Sequence, residues 1–210
     1  MMIAYEKAEK YRIPVLFLAD GIIAQMMEPV EMPEMVEYKV DPVKKPWAAT
    51  GWKPGDDPAK RAEINSIYIN TEDLAVHNDV LQAMYREVKA KEKLWDTYLA
   101  DDAEYLITAF GTVSRIARSA VDELREQGVK VGLFRPITVW PFPYEELGEC
   151  IRKPAIKGIL DVEVNEGQML EDVKLSANGV KPIRFYGHCG SQFPTVDEIK
   201  TQILEMKEGK

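Results

Sequence analysis

Four short segments hold the residue types that could act on a ligand, and each follows an apolar run. They are Ala109-Phe110-Gly111-Thr112, Arg135-Pro136-Ile137-Thr138, Glu163-Val164-Asn165-Glu166 and Gly187-His188-Cys189-Gly190. If the apolar runs are parallel strands, these segments lie at their carboxyl ends, where open sheets receive ligands and partners. Gly111-Thr112-Val113-Ser114 opens a helix, so its free N–H groups could hold a phosphate or carboxylate, with Arg115 adding charge. A lone glycine before a helix more often serves an ordinary turn, and no GxGxxG or P-loop reinforces the signal. His188 and Cys189 invite a nucleophile or metal reading. Neighbours in sequence rarely aim at one atom, however, and no further Cys or His lies nearby. His77, at a helix start among polar residues, reads as solvated. Glu163, Glu166, Glu171 and Asp172 form an acidic cluster without metal-ligand company, and placement at a helix N-terminus accounts for the last three. No catalytic residue and no metal ligand is assigned.

The loop Arg135-Pro136-Ile137-Thr138-Val139-Trp140-Pro141-Phe142-Pro143 is more unusual. Its three prolines and two large aromatic residues make a stiff, bulky segment that keeps its shape on docking with little entropy loss. A lid on the core and an interface anchor at Trp140 are equally good readings. Arg135 joins Gly111, Thr112, Arg115 and Trp140 as a possible anion-binding or interface position.

The elements that must position these residues alternate. Tyr105–Thr108 reads as a strand, followed by a helix whose inner stripe is Val113, Ile116, Ala117, Ala120, Val121 and Leu124, with Gly128 as its stop. Val129–Phe134, Ile156–Val162 and Ile183–Tyr186 are the next strands. Tyr144–Ile151 and Gln168–Ala177 are helices, and the last helix opens on a capping box, Thr195 with Glu198. Such alternation implies an α/β fold, a parallel sheet with helices on both faces. Upstream, residues 72–99 carry a long helical pattern that serves for packing more readily than for partner binding. Residues 36–65 show no period, and Trp47 and Trp52 suggest a loop that wraps a neighbour. Residues 3–11 read as a helix, Val15–Leu18 as a short buried strand, and Ile22–Met27 as a second short helix. These cannot enclose a core alone. The expected organisation is 1–35 as the end of a first domain, 36–71 as a linker or wrapping loop, and 72–210 as a second domain.

Composition bounds the function. With 46% hydrophobic and 30% charged residues, the chain of 210 residues can bury a core. A formal net charge of −8 argues against nucleic acid or an anionic membrane as partner. Two distant cysteines, Cys150 and Cys189, cannot ligate an iron–sulfur cluster. The longest apolar runs, such as Ile13–Ala19, are too short to span a bilayer. A cytoplasmic location is the expectation.

Four separated motifs, in order, resemble the alpha chains of 2-oxoacid:ferredoxin oxidoreductases. Pro14-Val15-Leu16-Phe17-Leu18-Ala19-Asp20-Gly21, running into Gln25–Glu31, resembles the end of that family's first domain. Gly132–Pro143 resembles the "RPITLWPFP" loop of its second, transketolase C-terminal-like domain. Glu163-Val164-Asn165-Glu166-Gly167-Gln168-Met169 with Glu171-Asp172-Val173, and Phe185-Tyr186-Gly187 with Pro194-Thr195, resemble later segments of that domain. The branched-chain type, acting on 3-methyl-2-oxobutanoate (2-oxoisovalerate), is nearest in wording, and the 2-oxoglutarate type shares much of it.

The resemblance implies oxidative decarboxylation of a 2-oxoacid on thiamine diphosphate, with the acyl group passing to coenzyme A and electrons to ferredoxin. It implies beta, gamma and ferredoxin-like partner subunits, and magnesium and iron–sulfur clusters in the complex, none held tightly by this chain alone. The family's "YPITPS"-like motif and activating glutamate have no counterpart in this sequence. Residues 1–35 are therefore expected to be the remnant of a thiamine-diphosphate-binding-type domain, and the chain alone is expected to be inactive and to self-associate. The alternative is a non-catalytic assembly domain that holds partner subunits.

Overall fold

The computed structural model describes residues 1–35, 41, 44–49, 51–57, 61–62, 64–190 and 192–209. Parts of the 36–65 loop reading thus lie outside the described residues. The chain divides into two compact units, one of residues 1–26 with 83–210 and one of residues 27–82.

In the first unit the sheet has five strands: β1 (Trp95–Tyr98), β2 (Tyr105–Thr108), β3 (Val131–Pro136), β4 (Gly158–Glu163) and β5 (Ile183–Gly187). Their order is β1-β3-β2-β4-β5. The expected parallel pairing holds for β3, β2, β4 and β5. β1 corrects it. This edge strand runs antiparallel to β3, with Trp95 opposite Pro136 and Tyr98 opposite Leu133, so the sheet is mixed.

Helices α1 (Met2–Tyr11), α2 (Gly21–Gln25) and α3 (Thr71–Lys91) precede the sheet. α4 (Gly111–Glu126), α5 (Tyr144–Arg152), α6 (Gln168–Ala177) and α7 (Val196–Glu208) alternate with its strands. Period-two side chains of the buried strands feed both faces. On one face Ile107, Leu160 and Val162 pack against Ala117, Val121 and Leu124 of α4 and Ile199 and Ile203 of α7. On the other, Leu106, Phe134 and Ile159 pack against Leu147 and Ile151 of α5 and Met169 and Val173 of α6. The capping box forms as expected: the Glu198 N–H donates to Thr195 Oγ1, and the Thr195 N–H donates back to Glu198 Oε2 at 2.8 Å.

The helix expected over 72–99 is two elements, with α3 stopping at Lys91. Trp95, Tyr98 and Leu99 carry helical spacing, but β3 offers a free edge that pairs Trp95–Tyr98 as a strand, and that pairing outweighs local periodicity. The expected buried strand Val15–Leu18 is also corrected. It forms no strand, and Leu16 is 83% exposed.

The segment around it is nevertheless fastened at both ends. At its start, Glu92 is buried and accepts from Tyr11 Oη at 2.5 Å, from Lys10 Nζ at 2.7 Å and from Lys7. Hydrogen bonds from Lys10, Lys7 and Tyr11 outweigh burial and pull the Glu92 carboxyl down to about 2. At its end stands Asp20.

The second unit is built of short-range contacts. Tyr68 stacks on His77 with ring centroids 4.6 Å apart, so His77 is half covered rather than fully solvated as expected. The Arg61 guanidinium lies over the Trp52 ring, and Asn70 Oδ1 accepts from the Glu72 N–H at the start of α3. Ile67, Ile69, Val76 and Val80 remain exposed around a shallow hollow.

Candidate functional site

Strand order reverses between β2 and β4: the chain leaves β2 towards β3 and leaves β4 towards β5. The carboxyl ends of β2 and β4 therefore flank a topological switch point, the place where open α/β sheets bind ligands. Thr108 and Asp161 face one another in register there, both fully buried. Thr108 Oγ1 donates to Asp161 Oδ1 at 2.7 Å. Two residues on, Glu163 is 1% exposed on the same face of β4.

Glu163 and Asn165 together cap α6. The Met169 N–H donates to Glu163 Oε2 and the Leu170 N–H to Glu163 Oε1, both at 3.0 Å. The N–H groups of Gly167 and Gln168 donate to Asn165 Oδ1 at 2.7 and 2.9 Å, and Asn165 Nδ2 donates to Glu163 Oε2 at 2.9 Å. The first turn of α6 would otherwise leave these N–H groups without partners. Glu163 is the member of the acidic cluster that does the capping. Asp172 instead accepts from the Tyr144 hydroxyl, tying α6 to the start of α5, and that hydrogen bond pushes the phenol up to about 12.

Gly111 and Thr112 stand at the N-terminus of α4, and an internal carboxylate meets them there. Thr112 Oγ1 donates to Asp20 Oδ2, while Asp20 Oδ1 accepts from the N–H groups of Ile22 and Ile23 at 3.0 and 2.9 Å. Gly111 adopts a left-handed φ of 59° beside this carboxylate. Burial works against the Asp20 charge, but hydrogen bonds from Thr112, Ile23 and Ile22 prevail and hold its carboxyl below the usual range. Asp20 comes to this helix start from 92 residues away, a contact that no local pattern signals.

Arg115 and Arg135 are brought together, on opposite sides of a groove of about 500 Å³ between α4 and the β1–β3 edge. Arg118 shares it, its guanidinium 3.9 Å from the centroid of the Tyr98 ring. Arg135 Nη2 pairs with Asp96 at 2.8 Å, and the Tyr98 hydroxyl donates to Asp122 at 2.6 Å. Internal pairing thus engages Arg118 and Arg135.

Trp140 stands apart from that groove. It is half exposed, makes an edge contact with Tyr85 at 5.8 Å, and precedes Pro141 through a cis peptide bond. Thr138 fastens the loop, accepting from the Leu94 N–H at 2.9 Å and donating to the Pro141 carbonyl at 2.8 Å. Phe142 is buried while Ile137, Val139 and Trp140 are exposed, so one loop holds both a core lid and an apolar surface.

His188 and Cys189 do not converge on a common atom. His188 Nε2 lies 3.0 Å from the Tyr186 hydroxyl, and Cys189 is exposed, its thiol pushed up by a hydrogen bond with Glu166 and so poorly disposed to ionise. Cys150 lies on α5 and Cys189 after β5. Among the described residues no three His, Cys, Asp or Glu side chains group to hold a metal ion, and no helix is long and apolar enough to cross a membrane. With two cysteines, set on α5 and after β5, the chain does not offer the four thiolates of an iron–sulfur cluster.

Residues 103–199, from just before β2 into the first turn of α7, match the family model for pyruvate:ferredoxin oxidoreductase core domain II. The chain is homologous over nearly its whole length to subunits of archaeal 2-oxoacid:ferredoxin oxidoreductases. It is 36% identical over 206 residues to the ketoisovalerate oxidoreductase subunit VorB of Methanothermobacter marburgensis, covering 98% of this chain and 56% of that protein. It is 28% identical over 224 residues to the 2-oxoglutarate synthase subunit KorA of the same organism, covering 97% of this chain and 59% of that protein. The chain thus spans little more than half the length of these relatives. Its fold is shared with a 2-oxoglutarate:ferredoxin oxidoreductase from Magnetococcus marinus, at a TM-score of 0.57 and 21% identity, over 72% of this chain and 27% of that one.

Proposed function

We propose that this chain is part of the alpha subunit of a 2-oxoacid:ferredoxin oxidoreductase that acts on 3-methyl-2-oxobutanoate, converting it to an acyl-CoA with electrons passing to ferredoxin. The observation that carries this reading is the 36% identity along 98% of the chain to a ketoisovalerate oxidoreductase subunit, against 28% to a 2-oxoglutarate synthase subunit. Within such a complex the chain supplies framework rather than reacting groups. Residues 72–210 form the second domain and residues 1–35 contribute to the first, joined by 36–71. Thiamine diphosphate, magnesium and iron–sulfur clusters are then held with beta, gamma and ferredoxin-like subunits. The exposed Leu16, Phe17 and Leu18 and the Trp140 loop are the surfaces on which partner chains, or a second copy, pack.

Co-expression with its candidate partner subunits, followed by anaerobic purification, tests the proposal. Coenzyme A-dependent reduction of an electron acceptor should be fastest with 3-methyl-2-oxobutanoate. Preference for 2-oxoglutarate would move the assignment to that type. An assembled complex whose activity is unchanged when this chain is omitted would favour a non-catalytic assembly domain.

A further inference from the structure

Two carboxyl groups meet inside the sheet layer at the switch point, and their environments differ. Glu163 accepts from two backbone N–H groups at the start of α6 and from the side-chain amide of Asn165, so its oxygens are already engaged as acceptors. Asp161 receives one neutral hydroxyl, from Thr108, on Oδ1. Its Oδ2 is shut off from solvent and has no hydrogen-bond donor. The polar neighbour it faces is the Glu163 carboxylate. Acceptor against acceptor makes no bond, and two charges buried there would repel in a medium of low dielectric. A proton on Asp161 Oδ2 resolves both problems, turning the orphan acceptor into a donor to Glu163.

We propose that Asp161 and Glu163 hold one proton between them at neutral pH, with Asp161 as the acid and Glu163 as the carboxylate that seats α6. Among the described residues, the charged groups acting on Asp161 are Glu163 and Lys174. From β2 comes Thr108, neutral. From β5, Phe185 stands in register with Asp161. On the same face of the sheet, Leu147 and Ile151 of α5 belong to an apolar cluster with Ile159 of β4. From α6 comes Lys174, whose distant charge eases ionisation only slightly. Burial first, then hydrogen bonding to Glu163, pushes the Asp161 carboxyl up to about 8 from an ordinary 3.8.

The folded chain retains a proton that the unfolded chain has released, so stability falls as pH rises from about 4 towards 8. The shared proton is a pH-sensitive fastening for α6 beside the switch-point crevice. When it leaves, repulsion between the carboxylates acts on the residue that holds the first turn of that helix.

Infrared spectroscopy of the intact chain provides the test. At pH 7 the wild type should show the carbonyl stretch of a protonated carboxylic acid, shifted in deuterium oxide, lost above about pH 9 and missing in Asp161→Asn. The folding equilibrium constant of the wild type relative to Asp161→Asn should fall about tenfold per pH unit between pH 5 and 7. A wild-type spectrum without that band at pH 7 overturns the proposal, and it does so even if the variant fails to fold. A ratio that stays flat with pH, or a stoichiometric metal ion removed by chelation together with the loss of α6 protection from exchange, overturns it equally.

Discussion

Replacing Glu92 by Gln should release α1 from the end of α3 in a pH-dependent way. The carboxylate is 9% exposed and gathers Lys7, Lys10 and the Tyr11 hydroxyl, while the amide of Gln keeps the shape and loses the charge. A carboxyl drawn from 4.5 to about 2 corresponds to roughly 3 kcal/mol at full strength, at about 1.4 kcal/mol per unit. The lysine partners are 35% and 49% exposed, so solvent screening reduces the expected effect to about 1–2 kcal/mol. Because the folded value is depressed, this stabilisation is present above about pH 4.5 and is lost as pH falls towards 2. Amide hydrogen exchange of residues 6–11 is the assay, since α1 can undock without global unfolding. Protection in the variant should drop by about one order of magnitude at pH 7. The gap to wild type should shrink at high salt and close on acidification. A gap that is independent of pH, or that widens in acid, would refute the charge argument and leave Glu92 as a packing residue.

Other outcomes follow from single contacts. Asp20→Ala removes the carboxylate that caps α2 and occupies the start of α4, so trypsin should cut after Arg12 more than about threefold faster, with Asp20→Asn intermediate. Thr195→Ala breaks the capping box of α7 and should cost about 1 kcal/mol in urea unfolding. In Gly132→Ala the added methyl would stand 2.7 Å from Ala100 Cα, a backbone atom that cannot step aside, and a loss of about 2 kcal/mol or more is expected in thermal unfolding. Trp140→Ala should change the stability of the isolated chain by less than about 1 kcal/mol, since half its surface is already exposed, while weakening subunit association measured by light scattering.

Sequence alone determined the alternation of elements from Tyr105 onward, because β2, β3 and β4 are apolar runs largely buried on both faces and the helices between them carry one-sided apolar stripes. The capping box at Thr195 and the turn at Gly128 were equally legible, since their signals lie within a few residues. Three features had to wait for the tertiary structure. Trp95–Tyr98 is a strand because the edge of β3 is available to it, a fact recorded about 40 residues downstream in the chain. The helix start at Gly111 and Thr112 was readable, but its contact with Asp20 was not, because nothing local to either segment announces a contact across 92 residues. Asp161 and Glu163 sit in the sequence as two ordinary acids separated by Val162. They become a buried, unequal pair only when β2 and β5 close against β4 and α6 lays its N–H groups on one of them, because desolvation and hydrogen-bond geometry are properties of the packed layer and have no counterpart in the order of residues.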